Sequence, residues 1–289
     1  MQYISPSQLA RAAGVSESSV KRWCDQGRIP IVKTAGGHRR LSLDSATEFL
    51  RQTGGGAHPE LLGLPTRSRA GERTIPAASQ AFYQALIGGD DESSREILMD
   101  LHLSGERASR IGDAVVAPAF KCVGEGWERD EVQIYQERRG CRCCLHALEE
   151  LKKVIPVAKS SAPLAIGGAP ECDSYMLPTA LVEIVLQQGG WRAQSLGSRL
   201  PFSTLVAAVR ELRPALFWLS VSYVEDDARF IAGYRDFYEQ VQNDVAVIVG
   251  GRALSEDLRR QMSFTAYGDN LQHLEGFAKT LKRSLNRVQ

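Results

Sequence analysis

The sequence contains no long hydrophobic run and no excess of charge of one sign. No window approaches the roughly 18 consecutive apolar residues that a membrane-spanning helix needs, and the first residues lack the charged-then-apolar layout of a secretory signal peptide. The 35 basic and 34 acidic residues give a net charge of +1, which favours neither a nucleic acid nor an acidic surface. These absences predict a cytoplasmic protein without a membrane partner.

Disulfide bonds and common nucleotide-binding motifs are also missing. Six cysteines in 289 residues do not form a disulfide framework, and a reducing cytosol would keep them as free thiols or ligands. The glycines of residues 164–170 belong neither to a complete dinucleotide fingerprint nor to a phosphate-binding loop with its lysine. The composition, 43% hydrophobic and 24% charged, is typical of a globular protein with two or three domains.

The patterns of charge and apolar residues divide the chain into four segments. Residues 1–53 carry eight basic and four acidic side chains, a local net charge of +4. Residues 54–74 are rich in glycine and have no apolar period, which predicts a linker. Residues 75–157 show helical spacing and predict a bundle of about four helices. Residues 158–289 alternate apolar runs with amphipathic segments, which predicts an α/β domain with a doubly wound parallel sheet.

The N-terminal segment has the pattern of two short helices joined by a turn. Ser5 precedes a first helix that ends at Gly14, and Ser16 can cap a second helix over residues 16–30. In a helix-turn-helix, polar and basic side chains of the second helix contact base edges and phosphates. The predicted DNA contacts of this helix are Ser18, Ser19, Lys21 and Arg22.

A glycine pair and three cationic or polar residues come next, in Gly36-Gly37-His38-Arg39-Arg40. A hairpin of this sequence is suited to a phosphate backbone, so His38, Arg39 and Arg40 are further predicted DNA contacts. The helix pair and this hairpin resemble the MerR family of transcription regulators over about the first 50 residues. The resemblance implies an α-helical winged helix-turn-helix head that binds a double-stranded DNA operator.

The C-terminal segment resembles cobalamin-binding domains in the spacing of three motifs. Such domains carry Asp-x-His-x-x-Gly after the first strand, then Ser-x-Leu or a variant, then Gly-Gly. Here residues 173–178 are followed, after 41 residues, by residues 220–222 and, after 27 more, by residues 250–251. In the family, the histidine ligates cobalt and the aspartate orients it. The resemblance implies these ligand contacts: Asp173, Tyr175 in place of the histidine, Ser220, Ser222, Gly250 and Gly251.

The helical segment resembles the bundle of light-dependent cobalamin repressors of the CarH type. Those proteins have a tryptophan, nine residues and then Glu-His, which shields the upper face of the cofactor. This chain has Trp127, nine residues and then Glu137-Arg138, so these three residues are predicted cofactor contacts. The order of head, bundle and sheet domain resembles CarH over essentially the whole length.

Three further predicted cofactor contacts follow directly: Cys141, Cys143 and Cys144. A zinc site with His146 is disfavoured because the thiols of Cys-x-Cys-Cys point around a helix axis instead of converging. Three interpretations stay open. A cysteine or His146 could ligate haem iron, a thiolate with a pKa lowered by neighbouring arginines could add to a bilin vinyl group, or the thiols are buried apolar side chains. No metal is assigned.

Together the motifs predict a DNA-binding transcription regulator and not an enzyme. Its sensory half is expected to bind a tetrapyrrole, with biliverdin or haem favoured over cobalamin because the cobalt-ligating histidine is replaced. Ligand or light, in the case of a photoreceptor, would change DNA binding by a homo-oligomer, a dimer or tetramer. Two alternatives are a cofactor-free regulator controlled by a protein partner and a cobalamin-dependent enzyme.

Overall fold

The computed structural model describes residues 3–34, 36–53, 58–64 and 74–288. The chain divides into two units: Met1–Arg107 with Ala114–Pro156, and Ala108–Asp113 with Val157–Gln289. The first unit therefore contains the head and most of the helical segment. Of the predicted linker, residues 54–57 and 65–73 lie outside the described residues, and Pro59–Leu62 form a short 3-10 helix. Within the described ranges, no helix combines the length and apolar character needed to cross a bilayer.

Three helices and three short strands form the N-terminal part of the first unit. The helices are α1 (Pro6–Ala13), α2 (Glu17–Asp25) and α3 (Leu43–Thr53). The strands are β1 (Tyr3–Ile4), β2 (Val32–Lys33) and β3 (Arg39–Ser42), paired antiparallel in the order β1-β3-β2. Strands β2 and β3 form the predicted hairpin, and Gly36 and Gly37 lie in the connection between them.

Local signals define the turn between α1 and α2. Gly14 ends α1 in the left-handed conformation, with φ of 68°. Ser16 caps α2, and its hydroxyl accepts a hydrogen bond of 3.2 Å from the backbone N–H of Ser19. The second helix ends at Asp25 and does not continue to residue 30 as predicted, because Gly27 leaves the helix with φ of 71°.

Apolar side chains join the three N-terminal helices. Leu9 of α1 and Val20 of α2 are fully buried. The ring centroids of Trp23 on α2 and Phe49 on α3 lie 5.1 Å apart. Full burial of one such aliphatic side chain stabilises the fold by about 2 kcal/mol. The polar face of α2 is consequently held in a fixed orientation by its apolar face.

Longer helices form the rest of the first unit. They are α4 (Ile75–Gly88), α5 (Asp91–Leu103), α7 (Ala117–Glu128) and α8 (Ile134–Val154); the short α6 (Ala108–Ile111) and a π-helical turn (Gly112–Val116) lie between α5 and α7. Helix α8 packs against α4 and α5, and α3 packs against α5 and α8. Among the apolar residues that recur at helical spacing in this segment, Phe82, Leu86, Leu98 and Leu148 are buried.

A five-stranded parallel sheet forms the second unit, as predicted. Its strands are β4 (Leu164–Gly168), β5 (Arg192–Ser195), β6 (Leu216–Ser220), β7 (Ala246–Gly250) and β8 (Ala266–Gly268), in the order β5-β4-β6-β7-β8. Besides residues 108–113, the helices of this unit are α9 (Leu177–Gln188), α10 (Phe202–Leu212), α11 (Asp227–Val241), α12 (Glu256–Arg260) and α13 (Leu271–Val288). The strand order reverses between β4 and β6, the point at which open α/β sheets bind ligands.

The interior of the second unit explains the apolar runs of its strands. Every residue of β6 is buried, because helices cover both faces of a parallel sheet. Phe217 and Phe237 lie in this core with ring centroids 5.0 Å apart. Residues 108–113 belong to the same unit, where the Asp113 carboxylate accepts backbone N–H bonds of 2.9 and 3.0 Å from Leu271 and Gln272 at the start of α13.

Candidate nucleic-acid and ligand sites

The exposed face of α2 carries the predicted DNA contacts. Ser18, Lys21 and Arg22 are exposed, and Ser19 is half-buried. The hydroxyls of Ser18 and Ser19 each lie 2.9 Å from the capping hydroxyl of Ser16. Lys21 pairs with Glu17 one turn earlier at 2.8 Å and lowers the pKa of that carboxyl, first through the hydrogen bond. Among the described residues, the guanidinium of Arg22 has no hydrogen-bond or ion-pair partner.

The β2–β3 hairpin presents the other predicted contacts. His38 is exposed, and its backbone N–H donates to the Thr34 hydroxyl at 3.2 Å. Arg39 is not a free cation, because its guanidinium donates to the Asp25 carboxylate at 2.7 Å. Arg40 is half-buried on β3. Arg39 thus ties the hairpin to the end of α2, a contact that the sequence pattern did not indicate.

Asp173 joins the loops that follow β4 and β6 in the second unit. Its fully buried carboxylate accepts the backbone N–H of Tyr175 at 2.9 Å and that of Ser222 at 2.5 Å. Burial raises the pKa of Asp173, although these hydrogen bonds and the nearby Arg252 oppose the shift. Both carboxylate oxygens are therefore used by the backbone, and Asp173 fixes the loops at the point where the strand order reverses.

The Tyr175 side chain lies under a cation. The guanidinium carbon of Arg252, in the loop after β7, is 5.1 Å from the centroid of the Tyr175 ring. The Nε of Arg252 donates to the carbonyl oxygen of Ser222 at 3.3 Å. Sequence reasoning singled out Tyr175 and Ser222 but missed Arg252, which directly follows the predicted Gly250-Gly251 pair and places a positive charge over the Tyr175 ring.

The glycine pair after β7 has a structural role. Gly251 has φ of 122°, and a β-carbon there would overlap the carbonyl group of Val221. The backbone N–H of Val221 donates to the carbonyl oxygen of Gly250 at 2.8 Å. Only glycine fits this conformation and this close approach. Ser220 and Ser222 flank Val221 and are buried.

A tryptophan fills the space between β4 and α9. Gly167 of β4 pairs with Trp218 of β6, and a β-carbon on Gly167 would overlap the Trp218 indole. The indole N–H donates to the Thr179 hydroxyl of α9 at 2.9 Å, and that hydroxyl lies 3.1 Å from the hydroxyl of Ser195. Trp218 and Thr179 were not predicted as site residues, because their neighbours along the chain are ordinary core residues.

In the first unit, the predicted cofactor contacts lie at the end of α7 and the start of α8. Trp127 is 52% exposed, and Tyr135 is 64% exposed. Glu137 is half-buried, and Arg138 is exposed. The first unit therefore presents two large aromatic side chains to solvent.

The three cysteines of α8 do not have activated thiols. Cys143 and Cys144 are buried, and Cys141 is half-buried. Burial raises the pKa of Cys141 to about 11 and also raises those of Cys143 and Cys144. The bilin interpretation requires a thiol pKa lowered by neighbouring arginines, and here burial has a larger effect than their charges.

The residues around the cysteine cluster are engaged in other contacts. Arg139 donates to the carbonyl oxygen of Ile87 at 2.7 Å, and His146 lies 3.2 Å from the Asp91 carboxylate. In the ranges that the structure covers, no three His, Cys, Asp or Glu side chains are grouped so that they could hold a metal ion.

Two domain models match the chain. Residues 3–53 match the helix-turn-helix domain, and residues 78–152 match the B12 binding domain. The chain thus combines a helix-turn-helix domain with a B12 binding domain. No curated protein sequence is significantly similar to it.

One solved structure shares the fold over most of the chain. The monomethylamine corrinoid protein of Methanosarcina barkeri is similar over 72% of this chain and 100% of its own, with 17% identity and a TM-score of 0.60. A cobalamin-binding protein of Desulfitobacterium hafniense aligns over 73% of this chain and 99% of its own, with 17% identity and a TM-score of 0.37. At these identities the likeness shows the fold alone, and the second alignment supports no further argument.

The described residues at the carboxyl edge of the sheet lack the features that hold a cobalamin through a protein histidine. An imidazole ligand to cobalt is missing at position 175, where the tyrosine ring lies under Arg252. When a protein histidine ligates cobalt, it replaces the cofactor's own base, and this base then needs a cavity beside the sheet. In this protein, Trp218 fills the space next to α9 that the missing side chain of Gly167 leaves. The carboxyl edge of the sheet therefore does not fit a cobalamin bound through a protein histidine.

Proposed function

We propose that the chain is a DNA-binding transcription regulator of the MerR type whose B12-type half senses a corrinoid. The observation that carries this proposal is the presence, in one chain, of a helix-turn-helix domain and a B12 binding domain. A DNA-binding head has no use in a corrinoid-carrying enzyme component, whereas a ligand-binding half gives a regulator its signal.

The head would bind DNA through two elements. Helix α2 would enter the major groove with Ser18, Ser19, Lys21 and Arg22. The β2–β3 hairpin would act as a wing against the backbone with His38, Arg39 and Arg40. One small head makes few base contacts, so we propose that a homo-oligomer reads repeated half-sites. A ligand would then regulate by changing how heads are paired.

The ligand proposal rests on the match of residues 78–152 and on the exposed Trp127. The haem and biliverdin alternatives rest on the replaced histidine and on the cysteine cluster of α8, and no comparison supports them. We therefore propose a corrinoid as the ligand. Binding of haem or biliverdin, and a response to light, are alternative outcomes that the test below distinguishes.

The test selects DNA from a random pool with the full-length protein and measures affinity for the enriched sequence as a function of salt. The same protein is then incubated with cobalamin, haemin or biliverdin, gel-filtered in the dark or after illumination, and examined by absorption. Enriched DNA together with a retained corrinoid band supports the proposal. A retained corrinoid without any enriched DNA favours an enzyme component, and enriched DNA with a colourless protein favours control by a protein partner.

A further inference from the structure

Arg252 is held in place by its neighbours, but its charge is not neutralised. Its Nε donates to the carbonyl oxygen of Ser222, and its planar group lies over the Tyr175 ring. No carboxylate of the described residues forms an ion pair with it, and its side chain is largely exposed. The two terminal amino groups of the guanidinium therefore remain available to a ligand.

Asp173, whose carboxyl interacts electrostatically with Arg252, does not form a hydrogen bond with it. Asp173 is fully buried, and both of its oxygens accept backbone N–H bonds. Glu171 lies 3.7 Å from Arg229, and Glu225 accepts from the thiol of Cys172 at 3.6 Å. The acidic side chains of these loops thus have partners of their own, and Arg252 is a cation without an ion-pair partner among the described residues beside the reversal of strand order.

We propose that Arg252 is an oxyanion-binding residue that holds an anionic group on the periphery of the ligand, an inference that deepens the proposed corrinoid-sensing function. A guanidinium forms two parallel hydrogen bonds to a carboxylate or phosphate, and its orientation is already fixed by Tyr175 and Ser222. Such a contact needs neither a metal-ligating side chain nor a slot beside Trp218. The oxyanion is the phosphodiester of a cobalamin or a side-chain carboxylate of a haem or bilin.

Four probes distinguish these sources: cyanocobalamin, which carries the phosphodiester; dicyanocobinamide, which lacks it; and haemin and biliverdin, which carry carboxylates. Their dissociation constants are compared for the wild-type protein, Arg252→Gln and Arg252→Lys. Arg259→Gln is the matched control, because Arg259 lies 4.2 Å over the Tyr267 ring and its Nε donates to the Ser255 carbonyl oxygen at 3.4 Å. Thermal unfolding checks that each variant is folded.

We expect Arg252→Gln to weaken the binding of one anionic probe about tenfold or more, since a hydrogen bond to a charged group is lost. Arg252→Lys should recover only part of this loss, because lysine keeps the charge without the planar fork. Loss for cyanocobalamin but not for dicyanocobinamide identifies the phosphodiester. If Arg252→Gln behaves like Arg259→Gln with every probe that binds, the inference is overturned while the proposed function stands.

A second measurement tests the inference without any tetrapyrrole. The Nε–H resonance of Arg252 is followed by NMR as inorganic phosphate or propionate is added to the wild-type protein, with Arg259 as the internal reference. A saturable shift of Arg252 alone supports an oxyanion site, even if none of the four probes is retained and the corrinoid proposal fails. Equal shifts of both resonances contradict it.

Discussion

The Arg39 guanidinium and the Asp25 carboxylate form an ion pair of 2.7 Å that joins the β2–β3 hairpin to the end of α2. The pair lies on the surface that we propose as the DNA-binding face, and exposed pairs of this kind contribute about 1 kcal/mol or less to stability. Arg39 is thus in a position to exchange Asp25 for a phosphate when DNA binds.

This exchange predicts different effects for the two partners. Arg39→Ala should weaken DNA binding about tenfold and lower the salt dependence by about one phosphate contact. Asp25→Ala should leave the salt dependence unchanged and affinity equal or higher, because it frees Arg39. Fluorescence anisotropy at several salt concentrations measures both. Equal losses for the two variants, with an unchanged salt slope, would show that Arg39 only positions the hairpin.

His102 provides a prediction about stability and pH. The imidazole is buried in α5 near Arg51 and Glu48, and neither ring nitrogen has a partner in the described part of the chain. Burial and, after it, the charge of Arg51 lower the pKa of His102 to about 4, against the opposing effect of Glu48. Below the ordinary pKa of histidine, the unfolded chain binds a proton that the native protein excludes.

The unfolding free energy of the wild-type protein should therefore lose about 3 kcal/mol through His102 as the pH falls from about 6.5 to 4. His102→Leu should remove this component and stabilise the protein at pH 7 by about 1 to 2 kcal/mol, because an unsatisfied polar group leaves the core. His146→Leu is the control, since His146 is exposed. Urea unfolding at several pH values measures this; identical pH profiles for His102→Leu and the wild type would refute it.

A pair of glycine variants tests the loop after β7. Gly251→Ala should destabilise the protein by about 2 to 4 kcal/mol, because its positive φ and its approach to Val221 exclude a β-carbon. Gly276→Ala, within α13 and with open space around it, should stabilise by about 0.5 to 1 kcal/mol. Thermal unfolding compares the two, and a stable Gly251→Ala variant would contradict the described loop conformation.

Thiol accessibility tests the burial of the cysteine cluster. Exposed Cys172 should be alkylated in the native protein, whereas Cys143 and Cys144 should react only after denaturation, because both are buried and burial raises their pKa values. Mass spectrometry of iodoacetamide-treated protein locates the modified thiols. Native-state modification of Cys144 before Cys172 would restore the cluster as a candidate attachment site for a bilin.

Local features of the sequence predicted the elements of the fold well. Ser16 caps α2 as expected, since a capping hydroxyl and the N–H that it serves are three residues apart. The largely apolar run of residues 215–224 predicted a strand of a parallel sheet, and residues 216–220 form the buried strand β6, because helices cover both faces of such a sheet. Gly14 ended the first helix at the expected residue.

The contacts that define the candidate sites were not predictable in the same way. Arg252 meets Tyr175, Trp218 meets Thr179, and His102 lies near Arg51, each across a long stretch of chain. No local spacing encodes such contacts, because they arise when separate strands and helices pack. The sequence left open both a thiol pKa lowered by arginines and a buried thiol for the same reason: it shows nearby arginines but not burial.

The most direct test of the account measures the affinity of the full-length protein for its selected DNA with and without bound cobalamin, in the dark and after illumination. We predict that the ligand changes the dissociation constant at least about fivefold, the size of a typical coupling between two sites. Identical DNA affinity in the apo and corrinoid-bound protein, or the absence of any enriched DNA, would contradict the assignment as a corrinoid-sensing regulator.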